Sequence, residues 1–285
     1  MTPMDIDAII AQMRPSLDTH GLDVNRIRSH LGDTPWRIYL FAEVDSTNTQ
    51  LKKMAQVGSP AGTVLVADRQ SGGRGRLGRS FLSPGGVGVY LSALIRPDCA
   101  PADLMHLTCA VAVAMCDAVE AAFGFRPGIK WTNDLVVGNK KLGGILTELG
   151  LDPKTGRVDY AVLGIGINCG QLEDDFDESI RTIATSVRMV TGQEADRNLL
   201  IAQMILALER MDQTLLNSPA AMLDRYRRDC ITLGKEVSIL RGEEIRHATA
   251  LDIDAEGGLI VRYNTGEIGT VTSGEVSVRG LYGYV

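Results

Sequence analysis

The chain has 285 residues, of which 45% are hydrophobic and 22% charged, with a net charge of −6. That length leaves room for one large domain and a small one, each with a core, and the acidic balance argues against a general nucleic-acid binder, because counterion release needs a basic face. The five cysteines form no C-x-x-C pair and the four histidines are scattered, so reduced thiols in a cytoplasmic protein are expected and no zinc site is.

No basic region followed by an apolar run opens the chain, so no signal peptide is predicted. Ile6, Ile9, Ile10 and Met13 follow helical spacing, and residues 1–35 are read as a helical appendage packed on the large domain. A first strand is predicted over 36–42. Thr47 and Gln50 then have capping-box spacing at the start of a helix that Gly58 and Pro60 end. Ser46, Thr47 and Asn48 stand together there, although one side chain suffices to cap. Two readings remain: a cap alone, or a polar ligand site at a positively polarised helix start.

Strands are predicted over 63–67 and 87–95, and the segment between them has almost no apolar anchor. Gly72, Gly73, Gly75 and Gly78 alternate with Arg74, Arg76 and Arg79. Glycine backbone exposes N–H donors and guanidinium groups supply paired ones, so the natural partner of this segment is an anion. A solvated loop, or an Arg/Gly tract for nucleic acid, is the plainer reading. Suspension between two core strands favours a catalytic lid.

Residues 101–123 read as a long helix introduced by Pro97 and Pro101 and closed by Gly124; His106, Asp117 and Glu120 make the stretch too polar for a membrane span. Strands follow at 135–137 and 142–149, joined by a Gly138-Asn139 turn, with Lys130, Asn133, Asp134 and Lys141 interrupting them as site candidates. Residues 158–168 form another strand, which Gly164 and Gly166 weaken unless a backbone or ligand comes close. Helices are predicted at 180–190, 198–216 and 219–229. Five short strands at 236–240, 245–253, 259–263, 268–272 and 275–279 then predict a small β-barrel. The division is 1–35, 36–232 and 233–285.

Four stretches, in order and spacing, resemble the biotin protein ligase family. They are Asp45-Ser46-Thr47-Asn48; Gln70 with Gly73-Arg74-Gly75-Arg76-Leu77-Gly78-Arg79; Lys130-Trp131-Thr132-Asn133-Asp134 with Lys140-Lys141-Leu142-Gly143-Gly144-Ile145-Leu146; and Gly164-Ile165-Gly166-Ile167-Asn168. A weaker likeness continues through Gly274-Glu275-Val276-Ser277. The resemblance implies an α+β fold: a catalytic domain of the class II synthetase and lipoate ligase type, a mixed sheet flanked by helices, with a C-terminal SH3-like barrel. It implies that biotin and ATP give biotinyl-5'-AMP and pyrophosphate, that magnesium accompanies the ATP, and that the acyl group passes to a lysine of a biotin carboxyl carrier protein. The segment before Trp36 looks short for the DNA-binding domain of some members, so the ligase-only type is expected, with no nucleic-acid or membrane partner. A homodimer is compatible with it.

By the same resemblance, Lys141, Arg76 and Asp134 are the catalytic candidates. Ser46, Thr47, Asn48, Gln70, Gly73, Arg74, Gly75, Arg76, Lys141, Gly144 and Gly164 match biotin-side positions. Arg76, Arg79, Lys130, Asn133, Asp134, Lys141 and Asn168 match nucleotide-side positions, and no side-chain cluster is expected to hold a metal by itself. Thr132 stands where the family usually has proline, and Phe81 where tryptophan is common. Two rival readings are a lipoate or octanoyl ligase or transferase, and a non-catalytic biotin sensor. The glycine-rich segment is expected to be mobile without ligand and to close over the adenylate.

Overall fold

A computed structural model describes residues 6–13, 19–272 and 277–280, the last four by their backbone alone. Strand β1 (Arg37–Val44) pairs in parallel with β2 (Thr63–Gln70), because helix α3 (Thr47–Gln56) carries the chain back between them. The next strands are antiparallel: β3 (Gly88–Ile95), β4 (Gly128–Lys130), β5 (Asp134–Val137), β6 (Lys140–Leu151) and β7 (Val158–Asn168). The resulting seven-stranded mixed sheet has the order β1-β2-β3-β7-β6-β5-β4.

Both faces of its centre are covered. Val64 and Val66 of β2, with Val89 and Leu91 of β3, belong to one core, whereas the alternate residues Leu65, Ala67 and Leu94 belong to a second. The first core is built with α4 (Leu107–Phe123) and α6 (Arg197–Thr214), the second with α3 and α1 (Ile6–Gln12). Each fully buried Leu or Ile contributes about 1.5–3 kcal/mol by leaving water. The segment Pro101–Phe123 is long and apolar enough to cross a membrane, yet 72% of its most apolar window is buried within the chain. It is a core helix here, preceded by a 3-10 turn at Pro101–Leu104 and ended by Gly124 at a φ of +74°. All five cysteines are buried and free, and burial pushes the Cys109 and Cys169 thiols up to about 12.

The predicted helix at 180–190 is mostly absent: only α5 (Val187–Thr191) is helical, with Ser186 as its N-cap. Tertiary pairing overrides the local pattern, since Lys141 N donates to Ile183 O at 2.7 Å and Thr185 N to Lys141 O at 2.8 Å. Helix α2 (Val24–Ser29) lies in the N-terminal segment, and α7 (Pro219–Asp229) leads to the second sheet. Strands β8 (Glu236–Arg241), β9 (Glu244–Ile253), β10 (Leu259–Tyr263), β11 (Ile268–Val271) and β12 (Ser277–Gly280) pair antiparallel in the order β11-β10-β9-β8-β12. The start of the strand expected at 275–279 and the family likeness over 274–276 fall outside the described residues. Trp131 joins the two sheets, its ring Nε1 donating to Gly257 O at 3.0 Å and its backbone N to Thr232 Oγ1 at 2.9 Å.

Candidate active site

The glycine-rich segment between β2 and β3 folds as a short hairpin flap rather than an unpaired loop. Gln70 N donates to Ser83 O at 3.1 Å, Phe81 N to Gly73 O at 2.9 Å and Gly75 N to Arg79 O at 2.7 Å. Glycine makes this tightness possible: a Cβ on Gly73 would sit 2.2 Å from Phe81 O. The flap roofs a cavity of about 520 Å³, within the range of small-molecule sites.

The cavity has two chemically different parts. At the start of α3, Ser46 is the N-cap, its hydroxyl accepting from Thr49 N at 3.4 Å. The predicted Thr47/Gln50 capping box therefore does not form. Thr47 is instead tied to β2, its N and Oγ1 both donating to Gln70 Oε1, at 2.8 and 3.1 Å. Asn48 Nδ2 donates to Leu146 O and Glu148 Oε2, and its Oδ1 accepts from Ser92 Oγ at 2.6 Å. Ser46, Thr47 and Asn48 are all buried. Burial alone would raise the Glu148 carboxyl, but bonds from Lys52 and Asn48 and the nearby Arg74 charge outweigh it, and the net shift is downward. Sequence reasoning did not single out Glu148, since an acid at mid-strand carries no motif.

Cations gather at the other part. Lys141, at the start of β6, places Nζ 2.7 Å from Asp134 Oδ1, and the absent Cβ of Gly144 leaves them room, because it would lie 3.3 Å from that Nζ. Arg76 reaches down from the flap, its Nη1 donating to Asn133 Oδ1 at 3.0 Å, while Asn133 Nδ2 donates to Ile145 O. Burial pulls the Arg76 guanidinium below its ordinary value, Asp134 opposes that, and Arg79 adds to it. Buried Lys130 and exposed Arg79 complete the set lining the cavity. Five residue steps along β6 separate Lys141 from Leu146, roughly 16 Å of strand. One elongated ligand with a polar head and an anionic end fits such a division.

Of the residues singled out from sequence, Gly73 and Asn168 do not line the cavity. Gly73 is spent on the flap's own pairing, and Asn168 Nδ2 donates to Thr185 O at 3.0 Å, bracing the segment that holds Lys141. The others are brought together: Ser46, Thr47, Asn48, Gln70, Arg74, Gly75, Arg76, Arg79, Lys130, Asn133, Asp134, Lys141, Gly144 and Gly164. The apolar walls are Trp131, Ile145, Leu146, Ile165 and Ile183: the first four lie within the quoted motifs but were given no site role there, and Ile183 lies outside them. The close approach inferred at Gly164 and Gly166 is present: a Cβ there would meet Asn48 Oδ1 at 2.0 Å and the Phe81 ring at 2.5 Å. No group of three or more His, Cys, Asp or Glu capable of holding a metal occurs among the described residues.

A model of the biotin/lipoate A/B protein ligase family matches residues 40–168, and one of the biotin protein ligase C terminal domain matches residues 232–279. The biotin–[acetyl-CoA-carboxylase] ligase of Mycobacterium tuberculosis is 30% identical over 272 residues, 93% of this chain and 97% of that protein. The bifunctional ligase/repressor BirA of Bacillus subtilis is 33% identical over 226 residues, 78% of this chain and 68% of that protein. Among solved structures, the biotin protein ligase of Aquifex aeolicus in complex with biotin and ATP is 30% identical, covers 86% of this chain and 99% of its own, and superposes with a TM-score of 0.73. The mixed sheet with flanking helices and the separate antiparallel sheet thus agree with the fold expected from the motifs.

Proposed function

The chain belongs to the biotin/lipoate A/B protein ligase family, and from that premise we propose that this cavity joins biotin to ATP and passes the biotinyl group to a lysine of a biotin carboxyl carrier protein. The observation that carries the reading is the convergence of Lys141 and Arg76, from a strand and from the flap, on one end of a cavity whose other end is lined by the short polar side chains of Ser46, Thr47, Asn48 and Gln70. A carboxylate and a triphosphate repel each other. Fixed cations and N–H dipoles remove that cost where the new charge develops.

In the first step a biotin carboxylate oxygen attacks the α-phosphorus, the bond to the β-phosphate oxygen breaks, and pyrophosphate leaves with the electron pair. Lys141 Nζ lies between the two anions, held in place by Asp134 beforehand, and Arg76 with Arg79 holds phosphate oxygens. The ureido ring sits against Ser46, Thr47, Asn48 and Gln70. Asp134, whose carboxylate lines this cavity, would share in holding the magnesium that accompanies ATP, and the ion would supply charge neutralisation. In the second step the carrier's lysine amine attacks the acyl carbon and AMP departs, with Asp134 placed to orient the amine. The flap excludes water from the mixed anhydride meanwhile. The net charge of −6 supports a protein partner rather than nucleic acid or membrane, and the buried free thiols fit a cytoplasmic setting.

Incubation with ATP, magnesium, labelled biotin and a carrier domain is expected to label one carrier lysine, with unlabelled lipoate failing to compete. Incorporation of lipoate or octanoate in preference to biotin would assign the chain to the other branch of its family.

A further inference from the structure

We propose that His20, in the segment ahead of the sheet, is a positioning residue for the flap and acts through Asp68. Asp68 lies on β2, two residues before Gln70, and is 1% exposed. Its carboxylate joins the two ends of the flap, since both oxygens accept from Gly86 N at 3.1 Å, just before β3 begins. A carboxylate can do this only if its plane is fixed, and two further donors fix it: Arg197 Nη1 on Oδ1 at 2.6 Å and His20 Nδ1 on Oδ2 at 2.7 Å. The arrangement closes on itself, because Arg197 Nη2 donates to His20 O at 2.6 Å.

The outgoing end of the flap is shaped to fit this cluster. Gly86 has a φ of +82°, and a Cβ there would lie 3.4 Å from the His20 ring; one on Gly85 would lie 2.8 Å from Asp68 Oδ2. Tyr90 Oη adds a bond to Pro84 O at 3.0 Å. From this fixed turn the chain runs back to Phe81, whose ring lies over Gly166 in the cavity, and on to Arg76. The angle at which the flap meets the cavity is thus set by a side chain from outside the catalytic motifs. Helix α6 holds the same segment in register, with Asn198 Nδ2 donating to Gly21 O and its Oδ1 accepting from Asp23 N, both at 2.9 Å.

The inference deepens the ligase reading and rests on it for the claim that the flap retains an adenylate. Its test begins with a readout that needs no substrate: the rate of tryptic cleavage after Arg74, Arg76 and Arg79. His20 is the residue to change, because its side chain is 55% exposed whereas those of Asp68 and Arg197 are buried. His20 also has a φ of +46°, so His20→Gly removes the ring without backbone strain, and His20→Asn retains a donor in a residue that tolerates that conformation. His20→Gly is expected to be cut in the flap about fivefold faster, the size of one hydrogen bond's net contribution, with the thermal midpoint lowered by no more than about 2–4 °C, that same bond's share of global stability. It should also lose bound biotinyl-adenylate about fivefold faster while kcat at saturating biotin holds, and His20→Asn should restore both. Parent-like cleavage in His20→Gly, or acceleration spread equally over sites outside the flap, would overturn the proposal. A parent chain that forms no adenylate would sink the ligase reading and leave the cleavage result to be judged alone.

Discussion

Lys141→Ala is expected to lower the rate of biotin-dependent adenylate formation by about 10²- to 10³-fold, the cost of removing one donor aimed at developing charge. The effect should fall on kcat more than on the KM for biotin, because the ammonium meets the carboxylate where it approaches phosphorus, away from the ring-binding end. The thermal midpoint should hardly move. Lys141 is held through its backbone by Ile183 O and Thr185 N, contacts that alanine keeps, and its side chain is partly solvated. Lys141→Arg should rescue little, since the planar fork cannot reproduce a point charge against Gly144, whose missing Cβ already lies 3.3 Å from Nζ. Rapid-quench measurement of the adenylate separates this from a defect in transfer.

The second large effect concerns retention. Arg76→Gly removes the side chain that spans from the flap to Asn133 and, in the proposed mechanism, to the adenylate phosphate. A hydrogen bond to a charged group is worth about 1.5–3 kcal/mol, so escape of biotinyl-5'-AMP should accelerate about 10- to 100-fold. Adenylate formation should suffer less than retention. The visible consequence is biotin on lysines of bystander proteins, scored against the parent by blotting with a biotin-binding probe. A variant that kept its adenylate as long as the parent would show that shielding comes from elsewhere.

Much of the catalytic sheet was legible because its strands carry their own signals. The run ending at Asn168 is bounded to the residue, since apolar continuity and the acidic stretch after it agree. The paired glycines within it were read as places of close approach, and Asn48 and Phe81 fill those places. Where the reading failed, long-range pairing had won. The segment at 183–185 has helical composition but is drawn out along the start of β6 by two backbone bonds to Lys141. Strand β4, only Gly128–Lys130, is too short to show a period and exists because β5 pairs with it. The flap read as unanchored because glycine and arginine bury little, yet its order comes from backbone bonds that composition does not reveal.

The site divides in the same way. The residues singled out from local motifs converge on one cavity, except Gly73 and Asn168. Those that act by supporting others were not singled out: Glu148 beneath Asn48, Ser92 between Thr47 and Asn48, and the cluster of His20, Asp68 and Arg197, whose members are separated by 48 and 129 residues. No spacing rule connects such positions; only the fold brings them together. Asn168 belongs with them, a motif residue that braces the Lys141 segment from outside the cavity.

The most direct measurement is exchange of labelled pyrophosphate into ATP by the intact chain with magnesium, with and without biotin. If the flap's arginines and Lys141 bring a carboxylate against the α-phosphate, label should enter ATP only when biotin is present, and neither lipoate nor octanoate should replace it. Exchange that proceeds without biotin, or equally well with lipoate, would contradict the account.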